Sequence, residues 1–157
     1  MNVLGLELSD AGILVASGDP PGLLKVDGDS VESPGFALPE KKRLVVGAAA
    51  ERKAHLFPRQ ILHQFWDRLN TEPLEQPNPF AHNHAEVAYE HFANIWQHIQ
   101  QHGAEMVIAV PGFYKRTHLG LILGITNELG LRVKGFTPIA IAAVPDQLPQ
   151  GLWLHLD

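Results

Sequence analysis

Apolar and polar residues alternate from the start of the chain, and Val3 to Leu8 has the period of a half-buried strand. Ser9-Asp10-Ala11-Gly12 supplies turn chemistry, and Ile13 to Ser17 predicts a second strand, so the chain opens as a hairpin. Asp19-Pro20-Pro21-Gly22 turns it into a third strand, Leu23 to Val26, and Asp27-Gly28-Asp29-Ser30 marks another turn. Glu32 to Pro39, rich in Ser, Pro and Gly, predicts irregular backbone, and Leu44 to Val46 a short edge strand. Gly47 to His55 favours helix until Pro58 interrupts. Helical spacing resumes over Gln60 to Leu69 through Ile61, Leu62, Phe65 and Leu69. Asn70 to Asn83 contains Pro73, Pro77 and Pro79 without apolar periodicity, which predicts a surface loop between helices. Asn83 is placed to cap a helix from His84 to Gln101, whose apolar face is Ala88, Phe92, Ile95, Trp96 and Ile99 and which Gly103 ends.

The best-specified stretch is Met106 to Ala143. Met106 to Val110 is a short apolar run stopped by Pro111-Gly112, hence a buried strand. Thr117 is a candidate cap for a helix from His118 to Leu129 that carries Leu119, Ile122 and Leu123 on one face, with Gly130 as its left-handed stop. Leu131 to Phe136 is a second strand, and Thr137-Pro138 opens a further helix through Ile139 to Ala143. Strand, helix, strand at this length is a βαβ crossover, which makes the two strands parallel neighbours. After a polar connection from Pro145, Leu152 to Leu156 alternates into a last strand ending at Asp157. Meander, helices and βαβ unit together predict an α/β mixed sheet with helices on its faces.

Length and composition narrow this. At 157 residues and 45% apolar, the chain fits one domain with a substantial core. The net charge of −5 argues against a nucleic-acid partner. Glu40-Lys41-Lys42-Arg43 and Glu51-Arg52-Lys53 read as solvated surface, because acids interrupt them and no aromatics interleave. With no cysteine there are no disulfides, thiolate metal sites or cysteine nucleophiles, which fits a reducing, cytoplasmic location. The N-terminus is apolar but carries Glu7 and Asp10 and no basic leader, so neither a signal peptide nor a membrane partner is expected.

Several landmarks, in order, resemble the N-terminal half of the seventy-kilodalton heat-shock chaperones, within the actin, sugar-kinase and chaperone ATPase superfamily. VLGLELSDAG resembles the first phosphate loop, usually G-I-D-L-G-T-T; VVGAAAERKAHLFPRQ resembles V-G-x-x-A-K…N-P; and VIAVPGFYKRTHLGLILGITNELGL resembles V-x-V-P-A-Y-F and a helix ending A-G-L. GFTPIAIAA looks like I-N-E-P-T-A-A-A, and GLWLHLD like the strand entering the second phosphate loop. The resemblance implies a single ribonuclease-H-like domain over 1–157, with a helical insertion at about 60–103, forming the first half of a two-lobed domain that holds ATP and magnesium between its halves. The phosphate-loop positions it implies are Glu7, Ser9, Asp10 and Ala11, with Asp157 at the second loop. Glu7 keeps a carboxylate on a longer arm, Ser9 restores a side chain where backbone must approach phosphate, and Asp10 adds a negative charge there. The family lysine falls at about Trp66 or its neighbours Phe65 and Asp67, the glutamate of N-E-P at Thr137, and the arginine after V-P at Leu119. Pro111, a switch residue in the family, is retained, as it would be in any strand-ending role.

Other candidates are weaker. His98 with His102, or His91 with His98, could share a helical face as metal ligands, but further ligands and a positioned carboxylate are missing. His82-Asn83-His84 copies the letters of a nuclease motif without its surroundings and reads as loop and N-cap. Gly120 and Gly124 are expected to pack closely on the sheet, and Tyr89, Phe92 and Trp96 to belong to the core. No nucleophile elbow is present. Two readings remain: an interaction or structural module on a degenerate ATPase fold, with no cofactor and no catalytic residue, or the first half of an active ATPase completed beyond Asp157. The first is favoured, its partner being another protein or a second copy meeting the face of Pro138 to Val144 and Leu152 to Leu156.

Overall fold

The computed structural model describes residues 2–144. The predicted strand Leu152–Leu156 and Asp157 lie outside the described residues. Nine strands and four helices follow in order, and a six-stranded mixed sheet forms the centre among the described residues. β1 (Val3–Leu8) pairs antiparallel with β2 (Ile13–Gly18) and parallel with β8 (Glu105–Val110), which pairs parallel with β9 (Arg132–Pro138). β3 (Pro21–Leu23) and β4 (Glu32–Ser33) share the outer edge of β2. The meander and the parallel βαβ unit therefore meet at β1, and the mixed α/β architecture holds.

The alternation in β1 is explained by this position. Leu4, Leu6 and Leu8 are buried, whereas Val3, Gly5 and Glu7 face the other side. The buried side meets Met106 and Ile108 of β8, two helices, and the 65–69 segment. α2 (His84–Ile99) buries Ala88, Phe92, Ile95 and Ile99 of the predicted stripe, adds Val87, and leaves Trp96 partly buried at the margin of the core. Its N-terminus is closed by Asn83, whose side chain accepts the Glu86 N–H at 2.9 Å. α3 (Arg116–Glu128) buries Ile122, Ile125 and Thr126 against the same core. Full burial of each such aliphatic side chain contributes about 1.5–3 kcal/mol.

A second sheet runs β6-β5-β7, made of β5 (Phe36–Pro39), β6 (Leu44–Val46) and β7 (Leu62–His63). Its residues serve two cores by alternation: Ala37 and Leu44 join the main core, while Leu38 and Val45 join a smaller cluster with Ala50 of α1 (Ala48–Glu51). α4 (Ile139–Ala142) follows β9 directly, with Pro138 as its N-cap.

Several expectations are corrected. Glu32 to Pro39 is not irregular, because Ser33 pairs with Ile13 and Ala37 with both Val46 and Leu62. The third strand occupies Pro21–Leu23, earlier than Leu23 to Val26: the Leu24 N–H makes a last bond to the Val15 carbonyl of β2 at 2.8 Å, and Val26 then turns into the core. Gln60 to Leu69 is not a helix: Ile61 packs on the smaller cluster, while Leu62, Phe65 and Leu69 pack on the main one. Two different cores satisfy the spacing that one helix face would have served. The segment over about 60–103, expected to be helical, is thus helical only from His84 onward. The helix expected over Gly47 to His55 is a single turn continued by non-helical turns. α3 begins before Thr117, with the His118 ring accepting the Lys115 N–H at 2.9 Å. Gly120 and Gly124 are exposed, and a Cβ on either would meet nothing within 4 Å, so close packing on the sheet does not explain them.

Candidate functional site

Parallel strands end together where the chain turns into helices, and that edge is where open α/β sheets carry their ligands. Here the carboxyl ends of β1 and β8 open into a cleft of about 550 Å³. Glu7, Ser9, Asp10 and Ala11 all line it, so the structure brings together four of the five positions named from the sequence, Asp157 being the fifth. Pro111 to Phe113 form the wall after β8, and Ile139 and Ala143 the wall from α4.

The turn between β1 and β2 is closed upon itself. Ser9 Oγ donates to the Gly12 carbonyl at 2.9 Å and accepts the Gly12 N–H at 3.3 Å, while the Ser9 N–H reaches the same carbonyl at 3.3 Å. Gly35 packs so tightly beneath that a Cβ there would come within 2.5 Å of the Asp10 carbonyl oxygen. Asp10 turns its carboxylate toward the protein: Oδ1 accepts the backbone N–H groups of Trp66 and Asp67 at 3.2 and 3.4 Å. Burial pushes the Asp10 carboxyl above its usual range, and the Asp67 charge pushes it further. Tyr114 donates its hydroxyl to the Trp66 carbonyl at 2.7 Å, and burial raises that phenol too.

Among the described residues, the cleft presents carboxylates rather than the cations that neutralise a polyphosphate. Glu7, Asp10 and Asp67 line it, and among the described residues no lysine or arginine does. Like charges about 4 Å apart repel by about 1 to 4 kcal/mol at effective dielectrics of 80 to 20. The position aligned with the family lysine is occupied by buried Trp66 and Phe65, with acidic Asp67 next in sequence. Thr137 lies in a separate hollow with Glu7, and Leu119 packs against the core. No group of three or more His, Cys, Asp or Glu among the described residues is arranged to hold a metal ion. His91 and His98 are engaged elsewhere: the His98 ring bonds to the Asn94 carbonyl at 2.8 Å.

Sequence reasoning missed one polar cluster. His91 is fully buried in α2, with Nδ1 3.0 Å from Trp66 Nε1 and Nε2 2.8 Å from Ser33 Oγ; Ser33 in turn bonds Asp27 Oδ2 at 2.8 Å. An indole N–H only donates, so His91 Nδ1 accepts and the ring proton sits on Nε2. That proton is donated to Ser33, whose hydroxyl donates to Asp27. A serine nucleophile requires the opposite polarity, with the imidazole accepting from the hydroxyl. Ser33 is also wholly buried. This cluster is therefore a structural chain, and Asp27 extends it by accepting the Ala48 N–H at 2.8 Å at the start of α1. Burial holds the His91 imidazole well below the usual range, at about 4, consistent with its neutral form.

No family model and no curated protein sequence matches this chain.

Proposed function

We propose that this chain is a protein-interaction module built on a chaperone-type ATPase fold without ATP chemistry, working in the cytoplasm. The observation that carries the reading is the cleft at the ends of β1 and β8, where Glu7, Asp10 and Asp67 gather without a basic side chain. Phosphoryl transfer works by positioning phosphates and neutralising their charge. Here Ser9 and Asp10, which stand at the close-approach positions, are committed to closing their own turn and to holding the 66–67 backbone. An antiparallel meander joined through its first strand to a parallel βαβ unit supports the finer, ribonuclease-H-like reading of the sheet. The cysteine-free composition supports the location, and no helix among the described residues is long and apolar enough to cross a membrane.

The same arrangement supports a self-association surface. Val3 and Val107, 41% and 38% exposed, lie on the sheet face opposite α2 and α3, and α4 with its following residues adds Ile141 and Val144, 64% and 48% exposed. Pro138 to Val144 therefore contributes apolar surface beside that face.

Calorimetric titration with magnesium and ATP tests the loss of nucleotide chemistry. No heat of binding is expected at low-micromolar nucleotide. Low-micromolar affinity that disappears in Glu7→Ala would overturn the reading and restore an ATP site.

A further inference from the structure

Half of the chain's 12 lysines and arginines lie between residues 40 and 60, as Lys41, Lys42, Arg43, Arg52, Lys53 and Arg59, against only Glu40 and Glu51. This local surplus of positive charge stands in a chain whose net charge is −5. In the fold, four of these exposed or half-buried cations, Lys41, Lys42, Arg43 and Lys53, border one concavity. The β5–β6 hairpin and the turns after α1 enclose a groove of about 930 Å³. Its apolar lining includes Leu38, Pro39, Leu56 and Phe57, of which Leu56 is 62% and Phe57 42% exposed. Lys41, Lys42 and Arg43 line it from the hairpin, so an aromatic and an aliphatic side chain interleave with the charges in space although not in sequence.

We propose that this groove docks an acidic peptide segment with an apolar anchor, presented by a partner protein. Charge and shape point the same way. Lys53 is engaged by Glu40, whereas Lys41, Lys42 and Arg43 form no ion pair among the described residues. Three cations thus stand beside an apolar concavity, an arrangement that answers carboxylates flanking a hydrophobic side chain. The walls are pre-ordered by backbone bonds. Glu40 N–H closes the Lys41-Lys42 loop onto the Arg43 carbonyl at 3.0 Å, and the bonds Leu56 to Lys53 at 2.9 Å and Gln60 to Phe57 at 3.0 Å hold Leu56 and Phe57 outward. Pre-ordering lowers the entropic cost of docking. A single-stranded nucleic acid fits less well: Phe57 is the only aromatic residue in the lining and Glu40 stands among the cations, whereas such strands need a continuous basic track with repeated stacking. The site is distinct from the cleft at β1 and β8 and does not depend on whether that cleft binds nucleotide.

Fluorescence anisotropy with three labelled probes tests this on the full chain. One is a synthetic peptide of Asp and Glu residues around a central Leu-Phe pair, the second replaces that pair by Ser-Ser, and the third is a single-stranded oligodeoxynucleotide of equal charge. The Leu-Phe peptide is expected to bind about tenfold or more tightly than either other probe. Its affinity should fall by about tenfold in the triple charge reversal K41E/K42E/R43E and weaken as salt rises. Those three side chains are exposed, so a thermal melt by circular dichroism should be unchanged, which separates lost binding from lost folding. Equal binding of the Ser-Ser peptide, preference for the oligonucleotide, or indifference to the charge reversal would each overturn the proposal, as would no binding of the Leu-Phe peptide.

Discussion

His91 is held neutral because every polar atom around it is already matched to that form. Trp66 donates to Nδ1, Nε2 donates to Ser33, and a second proton on the ring would lose the Trp66 bond inside the core. Its folded value near 4 lies below the ordinary value of 6.5, so the unfolded chain binds the proton more readily. The sign follows from that difference: stability is full above about pH 6.5, declines as pH falls, and reaches its floor below about pH 4, a loss on the order of 3 kcal/mol. Urea melts across this range should show the decline in the natural protein. In His91→Gln, which cannot titrate, this component of the slope should disappear, at a cost of about 1–3 kcal/mol at neutral pH for the imperfectly matched network. An identical pH slope in that variant would mean that other groups produce it. Gly47 belongs to the same network. Its φ of +68° and the closeness of Asp27 Oδ2 and Ser33 Oγ leave no room for a Cβ, and Gly47→Ala should destabilise through both strain and clash.

At the scale of elements, the turn between β1 and β2 and the segment from Gln64 to Leu69 are one unit, because the Asp10 carboxylate accepts two backbone N–H groups of that segment. Asp10→Asn keeps an oxygen acceptor and removes repulsion from Asp67, and should leave thermal stability unchanged or slightly raised. Asp10→Ala strands both donors and should cost about 1–2 kcal/mol in a chemical melt. Equal losses in the two variants would show that the carboxylate charge, not the acceptor, matters. The helical spacing of Ile61, Leu62, Phe65 and Leu69 hid this arrangement, since local periodicity is blind to a remote aspartate and to a second core. Ser33 and Phe36 were equally hidden among prolines and glycines, their strands existing only through partners distant in sequence. By contrast, α2 was legible down to its cap, because Asn83 and its apolar stripe act within a few residues of one another. β1 and β8 were legible for a similar reason, each being a short apolar or alternating run bounded by its own turn, whereas β9 was legible in its body but runs on through Thr137 and Pro138, which the sequence assigned to the next helix. Of the residues lining the cleft, Glu7, Ser9, Asp10 and Ala11 were named from the sequence, while Asp67 there, and elsewhere His91 and the apolar side of the basic groove, required the fold.

At the scale of the molecule, the decisive feature among the described residues is asymmetry between the two faces of the central sheet. α2 and α3 pack with the face bearing Leu4, Leu6 and Leu8, while on the face bearing Val3, the residues Gly5, Val107, Thr137 and Ala142 line a hollow of about 300 Å³. Apolar area left in water costs about 25 cal/mol per Å², and a two-fold contact between copies would remove it from both at once. Glu7 stands on this same exposed face and limits how tightly such a contact can form. Sedimentation velocity is therefore expected to show a monomer–dimer equilibrium that moves with concentration. Val107→Lys should shift it toward monomer by about tenfold or more, because the added charge would have to be desolvated without a partner. Glu7→Leu should shift it the other way, and the charge reversal in the Lys41-Lys42-Arg43 loop should leave it unchanged. A strict monomer at high concentration would remove self-association from the reading. A dimer that responds to the loop but not to Val107 would instead move the interface to the basic groove, making a second copy of this chain its occupant.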